Sequence, residues 1–357
     1  MEFRQKVRST KYLLSRGGLS YCILLEMKDH GMISTERFVC SKACQRFFRY
    51  FTDLPQEDYE KEIREQFDTV LHGFPDKYKD YPETFNEKIQ WMKVHDVNPL
   101  KTRLADKYLV RDWIKEQIGG EYLIPLVGGP WKSADEIDFD SLPNRFALKA
   151  NHGCGMNLIV KDKSKLDIPQ ARSLCNSWLN TVYGCIGMET QYFHIPPVLI
   201  AEQYMEDESG NLNDYKVFNF HGEPKVIQVD FDRFSNHHRN LYTADWAFIK
   251  GEINDASDPN REIAKPETLN EMLEIAKKLS KPFAHVRTDF YLVNNRLYFG
   301  EMTFSHGGGT EKFKPEALAR EFGGWLKIVS GGGIEKVTVL SCLYTFGNVL
   351  QRTCQAA

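Results

Sequence analysis

The chain reads as an α+β protein, on three observations. Residues 1–70 look mainly helical, and apolar spacing marks further helices near 85–92, 104–118 and 266–280. Short runs rich in β-branched and aromatic residues fall at 146–150, 158–160, 198–203, 214–231 and 285–304. The pairs His221-Gly222 and Asn294-Asn295 join neighbouring runs directly, which makes hairpins and antiparallel pairs rather than a series of βαβ units.

In chain order, Tyr81-Pro82 and Asn98-Pro99 are breaks, and between them Phe85, Ile89 and Met92 share one helical face. A second helix is expected over 104–118. Leu104, Tyr108, Val110, Trp113 and Ile114 supply its apolar positions, and Gly119-Gly120 ends it. Strands are expected at 122–126, 146–150, 158–160 and 198–203, with a helix at roughly 169–182. Residues 215–229 alternate as two strands around His221-Gly222. Leu269, Met272, Leu273, Ala276 and Leu279 make a helix leading into the 285–304 hairpin. Ser330-Gly-Gly-Gly333 reads as a linker to a nearly uncharged tail. The expected organisation is a helical region 1–100, two α+β subdomains at 101–197 and 198–329, and the tail 330–357.

With 357 residues the chain can bury a sizeable core. A net charge of −3 gives no global attraction to nucleic acid, and no apolar run approaches 18 residues. The start, Met1-Glu-Phe-Arg-Gln-Lys-Val-Arg, lacks the apolar stretch of a secretory signal. Eight scattered cysteines without Cys-x-x-Cys suggest reduced thiols in a cytoplasm. Residues 1–50 hold ten Lys/Arg against four Asp/Glu. That basic start is a solvated face or a contact for an anionic membrane surface.

The most informative stretch is the hairpin His285–304, with Arg287 and Asp289 on one strand and Glu301 and Thr303 on the other. Side chains alternate between faces, so the loop length decides which residues meet. A two-residue loop pairs Val293 with Arg296 and puts Asp289 and Glu301 on opposite faces. A three-residue loop sets Asp289 opposite Glu301 and Arg287 opposite Thr303, and this register is the one expected. Opposed carboxylates repel unless a cation lies between them, and Mg²⁺ is commonly held by one or two carboxylates plus substrate phosphates. A second feature is Phe146-Ala-Leu-Lys149-Ala-Asn-His-Gly153-Cys-Gly155, a strand ending in a lysine and a glycine loop. Such a loop lets backbone N–H groups approach a phosphate, and Lys149 adds a point charge; taken alone, these residues read more readily as a plain hairpin with a lysine. Three further points carry charge on apolar elements: Glu202-Gln203 at a strand end, Lys216 on a core strand, and Asp106-Lys107 at a helix head.

Taken in order, these motifs resemble the ATP-grasp superfamily. The wording Phe85-Asn-Glu-Lys-Ile-Gln-Trp91, Leu142-Pro-x-x-Phe-Ala-Leu-Lys149-Ala-Asn-His-Gly and Gly300-Glu-Met-Thr-Phe resembles its TupA-like branch, found with bacterial surface-polysaccharide genes. The resemblance covers roughly residues 66–327. It implies two α+β subdomains sandwiching ATP. It further implies that Lys107 and Lys149 contact phosphates, that Gly153 and Gly155 shape the closing loop, and that Glu202, Gln203 and Met205 line the adenine and ribose site. Asp289 and Glu301 would bind Mg²⁺. Thr303 stands where the superfamily usually has Asn, and Lys216 where many members have Arg.

Phosphoryl transfer needs cations fixed where charge develops, and Arg287 on the carboxylate face suits the γ-phosphate. His306, Gly307 and Gly308, just after the hairpin, are candidate substrate contacts. The expected activity is an ATP- and Mg²⁺-dependent carboxylate–amine ligase amidating a sugar acid. The alternatives are a phosphotransferase on the same fold and a non-catalytic nucleotide-binding component of a polysaccharide assembly complex.

Overall fold

The computed structural model describes residues 2–71, 82–206, 214–231, 237–261 and 263–328; within these, side chains are described from residue 9 onward except at 70 and 71. The expected linker and tail at 330–357 and the side chains of Arg4, Lys6 and Arg8 lie outside the described residues. No helix among the described residues is long and apolar enough to cross a membrane.

The N-terminal region is helical, as expected. It comprises α1 (Glu2–Asp29, broken at Gly18), α2 (Thr35–Val39), α3 (Lys42–Thr52) and α4 (Tyr59–Gln66). Ser34 and Ser41 cap α2 and α3 by accepting from backbone N–H groups. Their apolar faces close on Tyr12, Tyr21, Phe47, Phe51 and Ile63. Next come α5 (Phe85–His95), α6 (Pro99–Ala105) and α7 (Val110–Gln117). The capping box between Thr84 and Glu87 starts α5. Asn98-Pro99 is a start as well as a break, because Asn98 caps α6 and proline is tolerated at its first turn.

The single helix expected at 104–118 is divided. Asp106 accepts hydrogen bonds from the N–H groups of Tyr108 and Leu109, at 2.8 and 3.1 Å, so α6 stops and α7 restarts at Val110. The strand expected at 122–126 is displaced too. Residues 120–122 form a 3₁₀ turn, and pairing begins at β1 (Leu126–Trp131). A four-stranded antiparallel sheet then forms in the order β1-β4-β2-β3, with β2 (Phe146–Ala150), β3 (Asn157–Val160) and β4 (Leu199–Gln203). Helix α8 (Ile168–Leu179) covers it, burying Phe146, Leu148, Cys175 and Trp178.

The larger sheet has six strands in the order β11-β10-β5-β6-β7-β8. These are β5 (Asp214–Phe220), β6 (Glu223–Phe231), β7 (His238–Thr243), β8 (Phe248–Ile249), β10 (His285–Val293) and β11 (Arg296–Thr303). A short pair joins β9 (Glu252–Ile253) to β12 (Phe313–Lys314). One face of the large sheet carries Tyr215, Val217, Ile227, Val229, Val286 and Phe290 and packs on α9 (Leu269–Ser280). The other face changes character along the strands. At one end Phe218, Phe220 and His285 pack against Phe85 of α5 and Phe322 of α10 (Glu316–Trp325). At the other end the same face is polar, and this is where the charged residues meet.

The 285–304 hairpin has a two-residue loop, against the expected three. Val293 pairs with Arg296, and Asn294 and Asn295 both adopt positive φ, at 49° and 61°. The expected pairing nevertheless holds: Asp289 faces Glu301 and Arg287 faces Thr303. The register shifts between Asp289 and Phe290, leaving Gly300 as the extra residue of a β-bulge. The odd residue that the pairing requires therefore sits in the strand, at a glycine. A Cβ there would lie 3.1 Å from the Asp289 carbonyl oxygen.

Candidate functional site

Alternation on β5, β6, β10 and β11 brings Lys216, Asp214, Asp230, Arg287, Asp289, Glu301 and Thr303 to one patch. Arg287 grips Asp289 with two parallel bonds, both 2.7 Å. It also donates to Thr303 Oγ1 at 3.0 Å and approaches Glu301 Oε1 at 3.4 Å. Lys216 pairs with Asp214, lies 3.1 Å from Asp289 and lies 3.8 Å from Asp230. A bidentate arginine and a buried lysine thus fix one carboxylate from two sides. Burial works to lower the Lys216 pKa, but Asp214 and Asp289 outweigh it and raise it. Burial likewise works to raise the Glu301 carboxyl, but Lys107, Arg287 and Lys216 hold it at about 2.

The two sheets meet through Lys107. Its ammonium donates to the Gly153 carbonyl and lies 3.8 Å from Glu301. The strand-to-loop turn after Lys149 is held from behind. Asn151 donates to Asp106 at 2.9 Å and to the Pro196 carbonyl at 3.0 Å, and it accepts from Val198 N–H at 2.8 Å. His152 is buried, with both ring nitrogens engaged by Asn151 and by the Trp178 and Thr181 carbonyls, so it is a support for the loop. Gly153 packs against Tyr183, where a Cβ would come within 2.9 Å of the ring; Gly155 has φ +72° and open space around it. Lys149 lies 2.6 Å from Glu202, and Arg111 lies 3.4 Å from the same carboxylate. Gln203 is exposed and Met205 half-buried at the end of β4.

The sequence-predicted residues therefore form two groups joined by Lys107. Asp289, Glu301, Thr303, Arg287 and Lys216 make one; Lys149, Glu202, Gln203 and Met205 make the other, beside the Gly153–Gly155 loop. His306 stands behind the first group. Its Nδ1 lies 2.6 Å from an Arg287 nitrogen, and its Nε2 lies 2.6 Å from Glu311. Arginine only donates, so Nδ1 accepts and the ring proton sits on Nε2, beside Glu311. Burial lowers the His306 pKa, which favours this neutral form. Arg239 approaches Glu311 at 3.1 Å and Asp230 at 3.1 Å, so a buried chain runs Asp230–Arg239–Glu311–His306–Arg287. Gly307 and Gly308, with φ of 52° and 61°, lead into a turn held by α5: Gln90 and Lys93 both donate to the Gly308 carbonyl.

Sequence reasoning paired Asp214 with Lys216 as an Asp-x-Lys strand motif but did not single out Arg111, Asp230, Arg239, Glu311, Glu189 or Lys93. For Asp230 a signal existed, since it occupies the Lys216 face of an alternating hairpin. Arg111 and Glu311 come from separate elements, and no local pattern marks them.

A magnesium ion fits this donor set. Asp289 accepts three protein hydrogen bonds, leaving roughly one of a carboxylate's four lone-pair directions. Glu301 is less committed. Among the described residues no group of three or more His, Cys, Asp or Glu could hold a metal ion. Two carboxylates completed by phosphate oxygens and water are the usual magnesium arrangement in nucleotide sites.

A model of the TupA-like ATP-grasp family matches residues 87–327. The chain belongs to that family. No curated protein matches its sequence. Similar solved structures include an N5-carboxyaminoimidazole synthase from Aspergillus clavatus in complex with ADP and 5-aminoimidazole ribonucleotide. It shows 12% identity over 58% of this chain and 46% of that one, with TM-score 0.36. D-alanine–D-alanine ligase from Bacillus anthracis shows 16% identity over 57% of each chain, with TM-score 0.34. The TupA-like chain thus spans about half the length of the solved structures it matches.

Proposed function

We propose that this ATP-grasp protein is an ATP- and Mg²⁺-dependent carboxylate–amine ligase acting on a sugar acid of a bacterial surface polysaccharide. The observation that carries the reading is the Asp289–Glu301 pair, flanked by Arg287 and Lys216 and tied through Lys107 to the Gly153–Gly155 loop. Lys149 and Lys107 bind the ATP phosphates, and Glu202, Gln203 and Met205 line the base and ribose. Asp289 and Glu301 would hold the magnesium ion, which would supply charge neutralisation for the transferring phosphate. Thr303, bound to Arg287, completes that floor.

Arg287 holds the γ-phosphoryl group in line with a carboxylate oxygen of the acid. That oxygen forms a bond to phosphorus, the bond to the β,γ-bridging oxygen breaks, and ADP leaves. The amine nitrogen, as the free base, then bonds to the acyl carbon, the carbon–oxygen bond to phosphate breaks, and the departing phosphate takes the proton that nitrogen loses. Fixed cations at the transferring group contribute roughly 3 kcal/mol each, on the scale of single oxyanion-hole donors. His306 orients Arg287 from behind, and Gly307 and Gly308 let backbone approach the acid.

The test is a screen of uronic acids against amines, reading ADP and phosphate separately. Acid-dependent release of both supports the ligase. ADP without phosphate, with a stable phosphate ester, makes the protein a kinase. Neither product with any acid favours a nucleotide-binding component. Asp289→Ala should abolish turnover and weaken Mn²⁺ binding at least tenfold; unchanged Mn²⁺ affinity would sink the metal assignment.

A further inference from the structure

Glu189 is a carboxylate among spent donors. It lies on the segment between the two glycine turns of the site. On one side Gly184, which its backbone N–H bonds at 2.9 Å, leads back to Tyr183, whose ring covers Gly153. On the other side Lys93 donates to the Gly187 carbonyl and, at 2.6 Å, to the Gly308 carbonyl. Among the described residues nothing donates a hydrogen bond to the Glu189 side chain, and no cation lies within ion-pair distance of it. Burial pushes its carboxyl pKa up; Lys93 and Arg287 pull it down and Glu301 adds to the rise. Through Lys93 and Tyr183 its segment touches both glycine turns that flank the Arg287–Asp289–Glu301 patch.

The nearby cations cannot satisfy it. All three Lys93 protons are taken, by Gln90 Oε1 at 2.9 Å and by the Gly187 and Gly308 carbonyls. Arg287 commits four of its five N–H groups to Asp289, Thr303 and His306, which leaves one for the phosphoryl group. Glu189 is half-buried and neither carboxylate oxygen is sealed from solvent, so water is its partner until a ligand donor takes its place. An alkylammonium group brings both the missing charge and three N–H donors.

We infer that Glu189 is the binding group for the second substrate, a primary amine carried as its ammonium ion and held between the 153–155 and 307–309 turns. This rests on the ligase reading and specifies its amine site. The amine would approach from the Glu189 side and meet the acyl carbon next to Arg287. Lys93, locked onto both flanking carbonyls, fixes the spacing between Glu189 and the triglycine turn.

The experiment is saturation-transfer NMR on the full-length protein saturated with Mg-ADP, using a mixture of glycine, alanine, serine, lysine and ethanolamine as probes. Wild type should show transfer to at least one amine. Glu189→Gln, which keeps the shape, should weaken that amine at least tenfold while Mg-ADP affinity stays within twofold. Glu189→Asp should recover part of the binding. No transfer in wild type, or equal transfer in Glu189→Gln, would overturn the inference. A tenfold loss of Mn²⁺ affinity in Glu189→Gln would overturn it too, by making Glu189 a metal ligand. Hydroxylamine, largely neutral at pH 7, tests the ligase reading separately by trapping an acyl phosphate as a hydroxamate. Amine binding without hydroxamate from any uronic acid leaves the site standing and removes the ligase.

Discussion

The two charged clusters differ in how tightly they are built. Lys149 and Glu202 on the four-stranded sheet and Arg111 on α7 form a simple group, with Lys149 and Arg111 side chains 19% and 15% exposed. On the six-stranded sheet Arg287, Asp289 and Lys216 are 10%, 3% and 8% exposed and are braced from behind by His306, Glu311 and Arg239. A cation that must let go of Glu202 to take a phosphate gains from a loose, solvent-screened pairing. A metal floor gains from over-determination, because misplacement of its carboxylates weakens every later step. On the proposed function, the difference would separate a part that binds from a part that holds still for chemistry.

The largest expected effect tests that division directly. Arg287→Lys keeps the charge and loses the fork, so kcat should fall about 100-fold, roughly 3 kcal/mol, with KM for ATP within about threefold. Lys149→Met should do the reverse, raising KM for ATP about tenfold with a smaller change in kcat. Steady-state kinetics on both variants checks the contrast. If Lys149→Met lost kcat and kept KM, the loose cluster would belong to the chemistry.

Much of this site was legible in the sequence because alternation on strands is a strict rule. Lys149, Glu202, Lys216, Arg287, Asp289 and Glu301 each interrupt an apolar strand, and their faces follow from counting. The loop length did not follow from counting. Asn294-Asn295 gives a two-residue turn, and the extra residue sits at Gly300, where the absence of a Cβ permits the bulge. The division of the 104–118 helix at Asp106 was hidden because apolar spacing continues across it, while a short polar side chain captures the backbone. Arg111, Glu311 and Glu189 were illegible for another reason: they are brought in by tertiary packing from distant segments.

The bulge offers an intermediate test. A Cβ at Gly300 would sit 3.1 Å from the Asp289 carbonyl oxygen and 3.3 Å from the Tyr291 ring. Gly300→Val must therefore shift the strand that aims Glu301. We expect a stability loss of about 1–3 kcal/mol by denaturant titration and about tenfold weaker Mn²⁺ binding. Nucleotide affinity on the Lys149 side should change less. Equal losses on both sides would mean that the two clusters are coupled more tightly than Lys107 alone provides.

The smallest effect concerns acid. His285 is fully buried among Phe85, Phe218 and Phe220 on the six-stranded sheet, and its Nδ1–H donates to the Asn219 carbonyl at 2.9 Å. Burial lowers its pKa to about 3. In the unfolded chain it titrates near the ordinary value of about 6.5. Between those values the unfolded state binds a proton that the folded state refuses, so stability rises with pH there and is lost as pH falls from about 6.5 towards 3. At pH 5 the loss relative to neutral pH from this residue is about 2 kcal/mol. His285→Gln should lower stability at pH 7, by disturbing the aromatic packing, and flatten the slope between pH 6.5 and 5. Hydrogen exchange should show β5 and β10 loosening with acid before β2 and β4. The tightly built sheet would then be the acid-sensitive one, because the same burial that fixes its charges excludes the proton on His285.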